Sequence, residues 1–201
     1  MDKIQYDNYI KILKGELIPA MGCTEPIAIA FTAAKAREVL GQMPEKMIVR
    51  CSGNIIKNVK GVIVPNSGGQ KGVEVAAILG AVAGKAELEL QVISQVKQEE
   101  IDKTRMLYNQ GICSCELEEG EENLFIRAEL TAGQEVAAVE VRTKHNHIAR
   151  IEKNGRVLFE EPNIEIKESG DKSKLNIKDI LEFANEVNLD DVREIISKQI
   201  E

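Results

Sequence analysis

Three stretches of this chain bring together side chains able to do chemistry. In Gly22-Cys23-Thr24-Glu25-Pro26 a thiol and a carboxyl stand two residues apart, directly before an unbroken apolar run. A helix beginning at Pro26 would present unpaired backbone N–H groups and a partial positive charge at its start, and both favour an anion there. A Cys23 thiolate or a bound carboxylate would gain from that setting. Thr24 or Glu25 could cap the helix, and Glu25 could also serve as acid or base. The plainer alternative is a cysteine tucked behind a capped helix, since free cysteine is among the most buried residue types.

The second stretch is Pro65-Asn66-Ser67-Gly68-Gly69-Gln70-Lys71-Gly72. Its glycines let backbone amides approach a ligand closely, and Lys71 could pair with a carboxylate or phosphate. The spacing matches neither the P-loop nor the dinucleotide-binding fingerprint. An ordinary tight loop between two elements is the competing reading. Lys71 as a Schiff-base lysine, and with it a pyridoxal-phosphate lyase, has no neighbouring motif in its favour.

The third is His145-Asn146-His147, which holds both histidines of the chain. On a strand, this spacing would put both rings on one face and could bind a metal; a polar edge pair is the commoner outcome. Cys113 and Cys115 would likewise share a strand face, but they lack the helix N-terminus that activates a C-x-x-C motif. With Cys23 and Cys51 they complete four cysteines, in a pattern that matches no secreted disulfide framework. Free thiols in a reducing cytoplasm are the expectation.

The elements that must position these residues can be read from periodicity. Ile4 to Leu17 carries a loose helical stripe, and Ile27 to Leu40 is an Ala-rich helix, apolar almost all round, with Gly41 placed to stop it. Lys46 to Ser52 and Val59 to Val64 read as short strands. Gly72 to Ala83 reads as a small-residue helix, and Ile93 to Gln110 as an amphipathic one with Val96, Ile101, Met106 and Leu107 inward. Five alternating segments between Ile112 and Glu160 then predict an antiparallel meander, with the acidic run Glu116 to Glu122 as a solvated hairpin tip. Residues 161–174 look like a linker, and two short helices follow over 175–187 and 189–200. The expected fold class is α+β, with buried Ala-rich helices, a mixed or antiparallel sheet and short C-terminal helices.

Composition narrows the function classes. The chain of 201 residues has a formal net charge of −7, which argues against nucleic acid or an anionic membrane as partner. It contains no leader pattern and no window approaching the length of a membrane span. Aromatic residues make up 3% and Trp is absent, so the core must come from Ala, Val, Ile and Leu.

The run G-C-T-E-P-I-A-I-A, then C-S-G-N-I-I-K-N-V-K-G-V-I-V-P-N-S-G-G-Q-K-G-V-E, then H-N-H-I-A-R-I-E-K-N-G, in this order, resembles the L-cysteine desulfidase family. That family is related to the alpha chain of bacterial iron–sulfur L-serine dehydratases. The resemblance spans residues 15 to 160 and implies a lyase that uses a [4Fe-4S] cluster to convert L-cysteine and water to pyruvate, ammonia and hydrogen sulfide. By it, Cys23 would be a cluster ligand; the local chemistry then gives the substrate carboxylate to Thr24, Asn66, Ser67, Gly68 and Gly69. Glu25, Lys71 and His145 would be the candidates for proton transfer and charge stabilisation.

Family members are about twice this length, and their other cysteine ligands lie in a C-terminal half. The resemblance therefore implies a domain over 1–160, a linker over 161–174 and a helical segment over 175–201 that leads to a missing half. The chain alone is then expected to be inactive. Readings that stay open are an L-serine dehydratase-like deaminase, a non-catalytic module that binds a small amino acid, and a homodimer supported by the Ala-rich helices.

Overall fold

The computed structural model describes residues 1–17, 20–161 and 170–197. Among them the chain is α+β, with seven α-helices and a mixed six-stranded sheet. The residues divide into two compact units, one holding both ends of the chain and the other residues 20–163.

The larger unit is built on the Ala-rich segment. Helix α2 spans Thr24–Leu40 and stops at Gly41, whose φ of 85° is the left-handed conformation a glycine adopts without strain. Most of α2 is buried, because its small side chains let α4 (Val73–Ala83) cross it at very close range. A Cβ added at Gly80 would lie 2.1 Å from the carbonyl oxygen of Ala30, so the crossing requires glycine there. The two helices cover one face of the sheet. A short 3-10 helix (Ala86–Gln91) and α5 (Gln98–Asn109) complete this layer.

The sheet has the order β2-β1-β3-β4-β5-β6, with β1 at Lys46–Cys51, β2 at Cys113–Leu117, β3 at Phe125–Ala132, β4 at Glu135–Arg142, β5 at Ile148–Lys153 and β6 at Arg156–Glu160. Strands β3 to β6 form the expected meander. Strand β2 instead pairs in parallel with β1, with Val49 opposite Cys115, and β1 sits between β2 and β3. The acidic run is therefore a crossing over the end of β1 and not a hairpin tip.

Alternation divides the sheet faces. Met47, Val49, Cys51, Ile126, Ala128, Leu130, Val139 and Val141 are buried against the helices. The other face carries a lattice of ion pairs: Arg127 bonds both Glu140 and Glu152, and Arg150 bonds Glu152 at 2.6 Å and Glu160 at 2.7 Å. Opposite charges on directly paired strands take the place of a second core layer.

Three local readings change. The segment Val59 to Val64 is not a strand; Gly53–Val59 is helix α3, because Ile55 and Val59 fall four residues apart and both bury. Pro26 is the third residue of α2 rather than its first, still within the first turn where proline loses no intrahelical bond. Met106, read as inward, is half exposed on α5.

The smaller unit packs α1 (Lys3–Glu16) with α6 (Ile177–Glu186) and α7 (Leu189–Ser197). Phe183 stacks on Tyr9 at 5.1 Å and tilts against Tyr6 at 5.5 Å, with Val192 buried beside them. Asn176 caps α6 by accepting from the Asp179 N–H. Most of the expected linker, residues 162–169, and the last three residues of the expected final helix lie outside the described residues.

Candidate functional site

The Gly22 turn does set a thiol and a carboxylate together. Gly22 has φ 72°, and Cys23 is the residue preceding the first turn of α2, with an extended backbone and no capping bond from its side chain. Its Sγ donates instead to Glu25 Oε2 at 3.1 Å, and the Thr24 hydroxyl donates to the same oxygen at 3.4 Å. Thr24 makes no bond to the helix end, whereas the Glu25 carboxylate accepts from its own backbone N–H in the first turn. Asn58, at the end of α3, donates through Nδ2 to Glu25 Oε1 at 3.1 Å. Both carboxylate oxygens are thus held, by residues 33 positions apart in sequence as well as by neighbours.

The electrostatics follow from these contacts. Burial is the largest influence on Glu25 and pushes its pKa up. Bonds donated by Cys23, its own backbone N–H and Asn58, together with the nearby His145, outweigh it and leave the carboxyl below the usual carboxylate range. Burial raises the Cys23 thiol, and donation to Glu25 raises it further. Burial lowers His145, against the pull of Glu25, so its imidazole is the neutral form at neutral pH.

His145 is not on a strand, and it lies close enough to Glu25 for the two charges to influence each other. Residues 143–147 form the bent connection from β4 to β5, with Thr143 at φ 65°. The two histidines therefore do not share a face: His145 acts on Glu25, whereas His147 Nδ1 bonds the Arg142 carbonyl at 3.1 Å. The spacing alone contained no sign of this turn.

The Gly-rich loop lies against the Gly22 turn. A Cβ on Gly22 would sit 3.6 Å from Pro65 Cγ. Within the loop, Asn66 (φ 56°) donates to the Ile93 carbonyl at 2.9 Å, and the buried Ser67 hydroxyl donates to the Gln70 carbonyl at 3.0 Å. Those side chains are occupied in shaping the loop. Gly68 and Gly69 follow with φ 70° and 86°, and among the described residues their backbone N–H groups bond to no acceptor. Consecutive left-handed residues with free N–H groups form a concavity suited to an anion. Lys71 is exposed and pairs through its backbone with Ile63.

The remaining cysteines gather elsewhere. Cys113 and Cys115 face the helix layer from β2, and Cys115 bonds the buried Cys51 of β1. Burial and the Glu74 carboxylate push Cys113 up to about 12. The bond from Cys51 lowers Cys115 below an ordinary thiol. All four cysteines are free, and among the described residues no group of three His, Cys, Asp or Glu is placed to hold a metal ion. Among the described residues no helix is long and apolar enough to cross a membrane.

No family model matches the chain, and no solved structure matches it. It is similar to UPF0597 proteins. One, from Lachnoclostridium phytofermentans, is 46% identical over 197 residues, covering 98% of this chain and 47% of the relative. A second, from Finegoldia magna, is 47% identical over 195 residues, covering 96% and 47%. A third, from Treponema denticola, is 39% identical over 204 residues, covering 100% and 47%. The chain spans about half the length of the curated relatives it matches.

Proposed function

We infer that this chain carries the N-terminal, substrate-facing part of a cytoplasmic iron–sulfur lyase that converts L-cysteine and water to pyruvate, ammonia and hydrogen sulfide. The observation that carries the reading is the meeting of the Cys23–Glu25 pair with the loop that bears the free Gly68 and Gly69 amides, through Gly22 and Pro65. The sequence resemblance to L-cysteine desulfidases supplies the reaction.

A [4Fe-4S] cluster takes thiolate ligands. Cys23, only partly buried at the start of α2, fits as one of them, whereas Cys51, Cys113 and Cys115 are engaged with one another around Glu74. The residues present fit one corner of such a group, and the other ligands would come from beyond these 201 residues. When bound, the cluster would supply a Lewis-acidic iron for the departing sulfur.

The protein groups have separable tasks. The Gly68 and Gly69 N–H groups hold the substrate carboxylate, stabilising the charge that builds as the adjacent carbon loses its proton. Neutral His145 takes that proton, and the ionised Glu25 stabilises the imidazolium that results. Glu25 Oε2 accepts the hydrogen bond of Cys23 Sγ and would pass that proton on to solvent if the thiol served as a ligand, so that the carboxylate is ionised during turnover. Asn58 keeps Glu25 oriented for both tasks.

The test uses a full-length relative, reconstituted anaerobically with iron and sulfide and given L-cysteine or L-serine. Equal yields of pyruvate and sulfide from L-cysteine, with a much smaller yield of pyruvate from L-serine, support the reading. Pyruvate from L-serine alone would make it a dehydratase, and no turnover of either would leave a binding module.

A further inference from the structure

Helix α5 passes over the loop that bears the free Gly68 and Gly69 amides. A Cβ on Gly68 would stand 2.9 Å from Cγ2 of Ile101 and 3.8 Å from Nη2 of Arg105. Ile101 and Arg105 are four residues apart and share one face of α5. Ile101 packs on the loop, and the Arg105 guanidinium reaches to Gly68 from the next turn. Helix and loop thus bring a guanidinium and two backbone N–H groups to one place.

That guanidinium is held on one side and free on the other. Its Nη1 stands 3.7 Å from Asp102 Oδ1, one turn back on the same helix, and Gln98 steadies that oxygen by donating to it at 3.1 Å. Among the described residues Arg105 has no further partner, so Nη2, on the side of Gly68, donates to no acceptor. The Arg105 side chain is 52% exposed and both glycines lie at the surface, within reach of a solute.

The donors define what fits. Guanidinium and amide N–H groups offer hydrogens and no acceptor, so the group that gains most from bridging them is an anion. The Asp102 carboxylate offsets part of the arginine charge, which favours an ion of single charge over a phosphate dianion. A carboxylate has that charge and two oxygens to divide between loop and helix.

We propose that Arg105 is a substrate-binding residue, its Nη2 donating to one oxygen of a monocarboxylate whose other oxygen accepts from the Gly68 and Gly69 N–H groups. The inference rests on the lyase reading for the identity of that monocarboxylate, the amino-acid substrate, and on the loop and α5 for the site itself.

The experiment is an NMR titration of the 201-residue chain with sodium acetate, at an ionic strength held constant with sodium chloride, that follows the Gly68 and Gly69 amide signals. Acetamide is the neutral isostere. The expected result is a saturable shift of both amides with acetate, with about tenfold weaker binding of acetamide and about a tenfold loss of acetate affinity in Arg105→Gln. Arg105→Lys, which keeps the charge without the planar fork, should lose less. The amide spectrum of each variant checks its folding. No saturable shift in the wild type, equal binding of acetamide, or undiminished acetate affinity in Arg105→Gln would overturn the proposal. None of these outcomes involves a cluster or turnover, so each is distinct from failure of the lyase reading, which is the absence of pyruvate and sulfide from a reconstituted full-length relative.

Discussion

The Sγ of Cys23 donates to Glu25 Oε2 across 3.1 Å, tying the residue before α2 to a carboxylate in its first turn. Asn58 holds the other oxygen from α3. Replacing Asn58 by Leu removes one donor to the ionised form, so the Glu25 pKa should rise, as followed by carboxyl carbon shifts in an NMR titration. A carboxylate held below its usual range adds stability above the unfolded-state pKa, and that contribution disappears as pH falls through the folded value. The stability difference between wild type and Glu25→Gln should therefore be largest near neutral pH and shrink on acidification to about pH 3. A difference that grows in acid would contradict the hydrogen-bonding scheme.

Thiol reactivity should follow position in the fold. At mildly alkaline pH, iodoacetamide should label Cys115 well before Cys113, whose pKa is pushed up to about 12, and before the fully buried Cys51. Glu25→Gln should quicken the labelling of Cys23 severalfold, because the carboxylate charge is one of the causes that raise this thiol. Peptide mass spectrometry of timed samples reads both outcomes.

Gly80 makes the crossing of α2 and α4 possible. A Cβ there would meet the Ala30 carbonyl oxygen at 2.1 Å and its Cα at 2.6 Å, and neither helix backbone can yield without disturbing the core. Gly80→Ala should destabilise the larger unit by about 3 kcal/mol, despite the better helix propensity of alanine. Urea denaturation measures it, and an unchanged or raised midpoint would show that the helices can separate cheaply.

On the solvent face of the sheet, Arg127 serves both Glu140 and Glu152, each less than a fifth exposed. Arg127→Leu leaves Glu152 with Arg150 alone and Glu140 with Arg142 alone, and a loss of about 1 kcal/mol is expected at neutral pH. Because the loss comes from their ionised forms, it should diminish on acidification. Denaturation at two pH values checks this.

Much of the scaffold was legible in the residues. The apolar run after Pro26, Gly41 at its end, and the turns of the β3–β6 meander carry strong local signals, and each element forms where expected. What escaped was non-local. The parallel pairing of β2 with β1 is decided by burying Cys113 and Cys115 beside Val49 and Cys51, which no window of sequence contains. Helix α3 was hidden because Ile55, Ile56 and Val59 suit either a short strand run or a helical face. At the site, the Cys23–Glu25 spacing could be read directly, but Asn58 carried no motif, and the role of His145 depends on a turn that separates it from His147.

The most direct measurement of the central claim is the iron and acid-labile sulfide bound by a full-length relative after anaerobic reconstitution, compared between wild type and the variant that carries Ala at the position matching Cys23. The account predicts a brown protein that releases sulfide and pyruvate from L-cysteine, and a variant that loses most of both the cluster and the turnover. A variant that retains full iron content and full activity would contradict the assignment of Cys23 as a cluster ligand.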